Sequence, residues 1–208
     1  MTRPSPLQNR VTPFGDIVAV AARGAVIGNR GVIHEGYRIV RPYAVRRWIA
    51  CRLQHRGIRR TIMAPRRWTE LFFLDEATAF AAGHRPCAEC RNADYRRFNA
   101  LWERCTGEAS GADAIDRTLH AERIERRAKR THRMPFAALP DGAFVARDDA
   151  AWLVHGDALL RWSPHGYDAR GSRPRGGTAT LLTPPSIVAV LRAGYIASSS
   201  LASSSYRP

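Results

Sequence analysis

The chain has 208 residues and a formal net charge of +15, with 45% hydrophobic, 25% charged and 9% aromatic residues. That length suits one ordinary domain or two small ones, and the composition is that of a folding chain rather than a disordered one. No apolar run approaches the ~20 residues that span a bilayer. The opening Met1-Thr2-Arg3-Pro4-Ser5-Pro6 lacks the charged-then-apolar order of a secretory leader, so no membrane association and a cytoplasmic location are the default expectations.

Residues 1–13 are Pro-rich and are expected to be loose. Residues 14–64 read mainly as strands. An apolar stretch covers 17–22, and a second covers 32–40 after a turn at Gly28-Asn29-Arg30-Gly31. Segments 48–53 and 58–63 flank Arg56-Gly57 and predict a hairpin. Asp75 then caps a short Ala-rich helix over 76–82, closed by Gly83. A second helix follows Cys90, with Tyr95, Phe98, Leu101, Trp102 and Cys105 on one stripe. A third is expected over 113–130, where the charge alternation of residues 123–130 reads as a solvated helix face. Beyond Pro135 the texture is β again: 144–146, 152–154 and 159–162 with a tight turn at Gly156-Asp157, a long loop over 163–177, and a strand over 178–182. A helix over 187–193 stops at Gly194. The expected fold is α+β. A zinc-stabilised module spans 14–105, a linker helix 106–134, a small β-rich module 135–196 and a disordered tail 197–208.

The positive charge is almost all arginine, 32 residues against a single Lys129, a bias that a GC-rich genome produces unaided. Its location is more informative. Between Arg46 and Arg67 there are eight arginines and no acid, and residues 1–110 hold nineteen basic against nine acidic side chains. Such a local field favours polyanions, nucleic acid above all; the alternative is the solvated face of an alkaline protein. Candidate phosphate contacts are Arg46, Arg47, Arg52, Arg56, Arg59 and Arg60, extended by Arg91, Arg96 and Arg97. Trp48 and Trp68 flank the run and are candidates for stacking on bases, although buried Trp is the commoner case.

There are four cysteines: Cys51, Cys87, Cys90 and Cys105. Cys87-Ala88-Glu89-Cys90 opens a helix but follows a helix, not the strand that a redox motif requires, so the pair reads as metal-ligating. Two thiolates at this spacing can hold one tetrahedral Zn²⁺ at ~2.3 Å each. Cys51, on a strand, is the third candidate. Cys105 falls on an apolar stripe and reads as a buried small hydrophobe. The fourth ligand is then His55 or His34, since His84 lies too close to the pair.

The segment Phe72-Phe73-Leu74-Asp75-Glu76-Ala77-Thr78-Ala79-Phe80-Ala81-Ala82-Gly83-His84-Arg85-Pro86-Cys87-Ala88-Glu89-Cys90-Arg91 resembles the second half of the zinc domain of the Ada methylphosphotriester DNA-repair family. The likeness covers roughly residues 46–92. It implies a similar local fold, one zinc held by four cysteines, and DNA as partner. In that family one ligand cysteine accepts a methyl group from a damaged backbone phosphate. The family's upstream Cys-x-x-x-Cys corresponds to Cys51-Arg52-Leu53-Gln54-His55, with a histidine for the second cysteine. By position the methyl acceptor would be Cys51.

A rival constellation is Pro86-Cys87-Ala88-Glu89-Cys90 with His120-Ala121-Glu122, the two halves of a zinc nucleobase-deaminase signature in reversed order. The expected function is therefore a zinc-binding protein that binds DNA, or RNA, through its arginines, in repair or regulation. The alternatives are a zinc-dependent enzyme, either a methyl acceptor at Cys51 or a deaminase-like hydrolase, and a non-enzymatic structural or partner-binding protein.

Overall fold

A computed structural model describes residues 3–57 and 60–199. In chain order the elements are β1 (Gln8–Val11), β2 (Ile17–Ala19), β3 (Val26–Asn29), β4 (His34–Glu35), β5 (Arg38–Ile39), β6 (Ile49–Arg52), β7 (Leu71–Phe73), α1 (Glu76–Ala81), β8 (Arg85–Pro86), α2 (Asn92–Thr106), α3 (Ala112–Arg123), β9 (Ile124–Glu125), β10 (Ala128–Lys129), β11 (His132–Pro135), β12 (Phe144–Arg147), β13 (Ala150–His155), β14 (Ala158–Ser163), β15 (Gly166–Ser172), β16 (Thr178–Leu181) and α4 (Pro185–Arg192). The fold is α+β. One six-stranded sheet has the order β2-β1-β7-β3-β6-β8, the other β11-β16-β12-β13-β14-β15.

Side chains alternate across a strand, and in the first sheet this alternation separates a core face from a cysteine face. Val11, Val26, Ala50, Leu71 and Phe73 point to one side and pack with Ala79 and Ala82. Their neighbours Ile27, Ile49, Cys51 and Phe72 point to the other, where they meet Cys87, Cys90 and Trp68. The knuckle is brought alongside because β8 adds to β6 in parallel register, Ile49 opposite Arg85 and Ala50 opposite Pro86.

Helix α1 is buried all round. Ala79 and Ala82 face the first sheet, Ala77 and Ala81 face Phe144, Leu153 and Leu160 of the second, and Phe80 joins Phe98, Trp102, Ile115, Leu119 and Val190 of the other helices. Alanine lets three layers approach so closely. Asp75 caps the helix by accepting from the Thr78 N–H at 2.8 Å, and its other oxygen accepts from the Tyr167 hydroxyl at 2.8 Å. Glu76 accepts from the Tyr195 hydroxyl and from the Ser198 N–H.

A methyl group at Gly28 would lie 2.2 Å from the Ile49 carbonyl oxygen and 3.1 Å from the Phe73 ring. Backbone in a sheet cannot step aside, so Gly28→Ala is expected to cost roughly 1–3 kcal/mol of stability. A lower denaturant midpoint with unchanged slope is the readout.

Several local expectations are corrected. The proline-rich start contributes β1, between β2 and β7, because Asn9 and Val11 are buried there. Asn29 ends a strand instead of opening a turn, and β4 and β5 are only a short hairpin around Gly36. The hairpin expected over 48–63 does not form: β6 pairs with β3 and β8, and Ile58 lies outside the described residues. The third helix stops at Arg123, where β9 and β10 turn back through Arg126 and Arg127, both at positive φ. Arg123 is buried and Lys129 half-buried rather than solvated, Lys129 donating to the Ala81 carbonyl. Residues 166–172, read as loop, are the edge strand β15. In the tail, Ser198 is fixed on Glu76, while residues 200–208 lie outside the described residues.

Candidate metal centre

Three sulfurs, those of Cys51, Cys87 and Cys90, lie within 4.8 Å of one another. Tetrahedral ligation with Zn–S bonds of ~2.3 Å needs neighbouring sulfurs about 3.8 Å apart, so the spacing fits a metal ion. The backbone also serves the sulfurs. The Arg52 N–H donates to Cys90 Sγ at 3.4 Å, and the N–H groups of Cys90 and Glu89 point at Cys87. Hydrogen bonds of this kind stabilise thiolate ligands. They are present because Cys87-Ala88-Glu89-Cys90 closes a turn immediately before α2, and because β6 and β8 hold that turn against Cys51.

Without a metal the three thiols share charge unevenly. The hydrogen bond to Cys87 and then burial push Cys51 far up. The same hydrogen bond, followed by the two backbone N–H groups, pulls Cys87 well below an ordinary thiol, and burial raises Cys90. A divalent ion would remove the conflict by letting all three sulfurs ionise.

The sulfurs open onto a cavity of about 500 Å³, also lined by Asn29, Ile49, His55, Arg60, Thr61, Ala64, Arg67, Trp68, Glu70 and Glu89. His55 stands on its wall, outside the group of mutually close sulfurs, and its Nε2 is buried without a hydrogen-bond partner among the described residues. His34 is not on this wall; its Nδ1 is 2.6 Å from the Thr69 hydroxyl. His84 packs between Trp48 and Phe73, with Nε2 facing Arg30, and burial holds it neutral. Glu70 is buried in the wall and accepts from the Met63 N–H at 2.8 Å.

Other candidates sit elsewhere. Cys105 is exposed at the surface, not part of the core. Neither His120 nor Glu122 lines the cavity: Glu122 accepts from the Ser186 hydroxyl at 2.6 Å and N–H at 3.1 Å, and His120 meets the Tyr43 ring. The two halves of the deaminase signature are thus not assembled. Trp48 is buried, with the guanidinium carbons of Arg30 and Arg123 at 4.1 and 4.0 Å from its ring, so it offers no face to a base. Burial pushes both guanidinium groups down to about 9.

Among the candidate phosphate contacts, Arg46, Arg47, Arg52, Arg56, Arg96 and Arg97 are exposed, Arg60 is half-buried at the cavity, and Arg59 lies outside the described residues. Arg91 is excluded by its pairing. It is buried with Glu76 at 2.6 Å and Asp94 at 2.8 Å.

Among the described residues no helix is long and apolar enough to cross a membrane. No family model matches the chain, and no curated protein or solved structure shows significant similarity to it.

Proposed function

We propose that this is a zinc protein that binds DNA through the arginine-rich segment covering its metal centre. The observation that supports this most strongly is the convergence of Cys51, Cys87 and Cys90 at one cavity whose wall also carries Arg60 and Arg67. Zinc suits three thiolates that converge on one point. His55 is the fourth ligand in this reading, since it lines the same cavity and its buried Nε2 has no hydrogen-bond partner among the described residues. Zinc would hold the turn before α2 against β6. The segment between β6 and β7 would then present its arginines from a fixed base.

Two measurements test the reading. Purified protein is expected to hold one zinc per chain. The cobalt-substituted form should show thiolate charge-transfer bands, and its visible spectrum should shift in His55→Ala. Affinity for DNA is expected to fall linearly on a logarithmic salt axis, and removing Arg47 or Arg56 should each lower that slope by about 1. Metal-free protein, or binding flat with salt, overturns the corresponding half of the proposal.

Cys51 lines the cavity, which favours a second reading, the methyl acceptor. Its sulfur would form a bond to the methyl carbon of a phosphotriester, the methyl–oxygen bond would break, and a phosphodiester anion would leave. A 14-Da adduct on Cys51 after incubation with methylated DNA is the expected product; its absence rejects this second reading alone.

A further inference from the structure

We infer that the cavity beside the sulfurs is a pocket for one unpaired nucleotide, so that the preferred ligand is a single strand or an extruded base rather than an intact duplex. The inference rests on the nucleic-acid reading above and specifies the form of the ligand.

Size comes first. A space of about 500 Å³ is in the range that small-molecule sites occupy, and a double helix cannot enter it. A nucleotide can, once its base has left the stack.

The lining supplies what a base and its phosphate require. Trp68 is a half-buried aromatic with one side packed on Ile27, Cys51 and Cys87. The Arg60 guanidinium carbon lies 5.8 Å from the ring centroid, far looser than the 4.0 and 4.1 Å seen at Trp48. Among the described residues the Arg60 side chain makes one hydrogen bond, to the Leu53 carbonyl at 3.3 Å. An incoming base can therefore take its place over Trp68, and the displaced guanidinium is then free for the phosphate. Arg67, exposed at the rim, supplies a second positive charge. Asn29, Thr61 and Glu70 bring an amide, a hydroxyl and a carboxylate to the same wall, groups suited to a base edge. Of the two tryptophans that flank the arginine run, only Trp68 retains an accessible face.

Direct comparison of three DNA probes tests the inference, using full-length protein of known zinc content at one salt concentration. The probes are an oligothymidylate, a blunt duplex and the same duplex with one unpaired nucleotide. The single strand and the bulged duplex are expected to bind about tenfold more tightly than the blunt duplex, the worth of one stacked base. Trp68→Ala and Arg67→Ala should each remove most of that preference. Because Trp68 packs on the cysteine face, Arg67→Ala keeps the test decisive if Trp68→Ala fails to fold. Equal affinity for all three probes, or a preference that Arg67→Ala leaves intact, overturns the inference while the nucleic-acid reading stands. No binding to any probe at low salt overturns both.

Discussion

Replacing Asp116 with Ala is expected to destabilise the protein by roughly 3–5 kcal/mol, the usual result of removing one partner from a buried ion pair. Arg85 donates to both Asp116 oxygens, at 2.9 and 2.7 Å, and both residues are almost fully buried. Without the carboxylate the guanidinium keeps a hydrogen bond to the Pro86 carbonyl and the face of Tyr95. Neither compensates a charge removed from water. The double variant Arg85→Met with Asp116→Leu should recover most of the loss, because it removes the cost of burying both ions. The exposed Arg161–Asp168 pair, also at 2.7 Å, is the contrast: breaking it should barely move the denaturation midpoint. If Asp116→Ala behaved like that surface pair, burial would not govern its strength.

The second large effect is expected on metal removal. Loaded protein should show one fast-reacting thiol, Cys105, which is exposed; after chelation all four cysteines should become reactive. Unfolding stability should fall by several kcal/mol, although zinc-finger peptides derive ~10–16 kcal/mol from their metal. The difference reflects the hydrophobic clusters of both sheets, which contain no metal ligand apart from the small Cys51–Cys87 group. Acidification should act like the chelator, because protons compete with the ion for sulfur. Four equally reactive thiols before and after chelation, with an unmoved midpoint, would contradict a bound metal.

The α+β class was legible because strong periodic signals dominate it. The Asp75 cap, the stripe Phe98–Leu101–Trp102 and the strands around Gly156 all follow local rules. What escaped depended on partners distant in sequence. β1 carries few apolar residues and is ordered by pairing with β2 and β7. Strand β15 is an edge strand rich in Gly and Arg, composition that reads as loop. Residues 123–130 alternate charge as a helix surface would, yet Arg126 and Arg127 take positive φ and reverse the chain. At the site, Cys-x-x-Cys identified itself by spacing, and strand alternation put Cys51 on the face that meets it. Glu70 and the cavity wall had no motif, because they are assembled by the fold from β3, β6, the segment after it and the turn before α2.

The position of α1 has a consequence for biosynthesis. The helix leading into the cysteine turn is finished only by residues far downstream, Tyr195 and Ser198, 119 and 122 positions beyond the Glu76 they bond, with Phe144, Leu153 and Leu160 over its alanines. A nascent chain therefore exposes the full set of thiols while the scaffold behind them is still incomplete. Ion capture during translation would fall on a half-built cradle, which is completed only once Tyr195 and Ser198 have been made and have docked on Glu76.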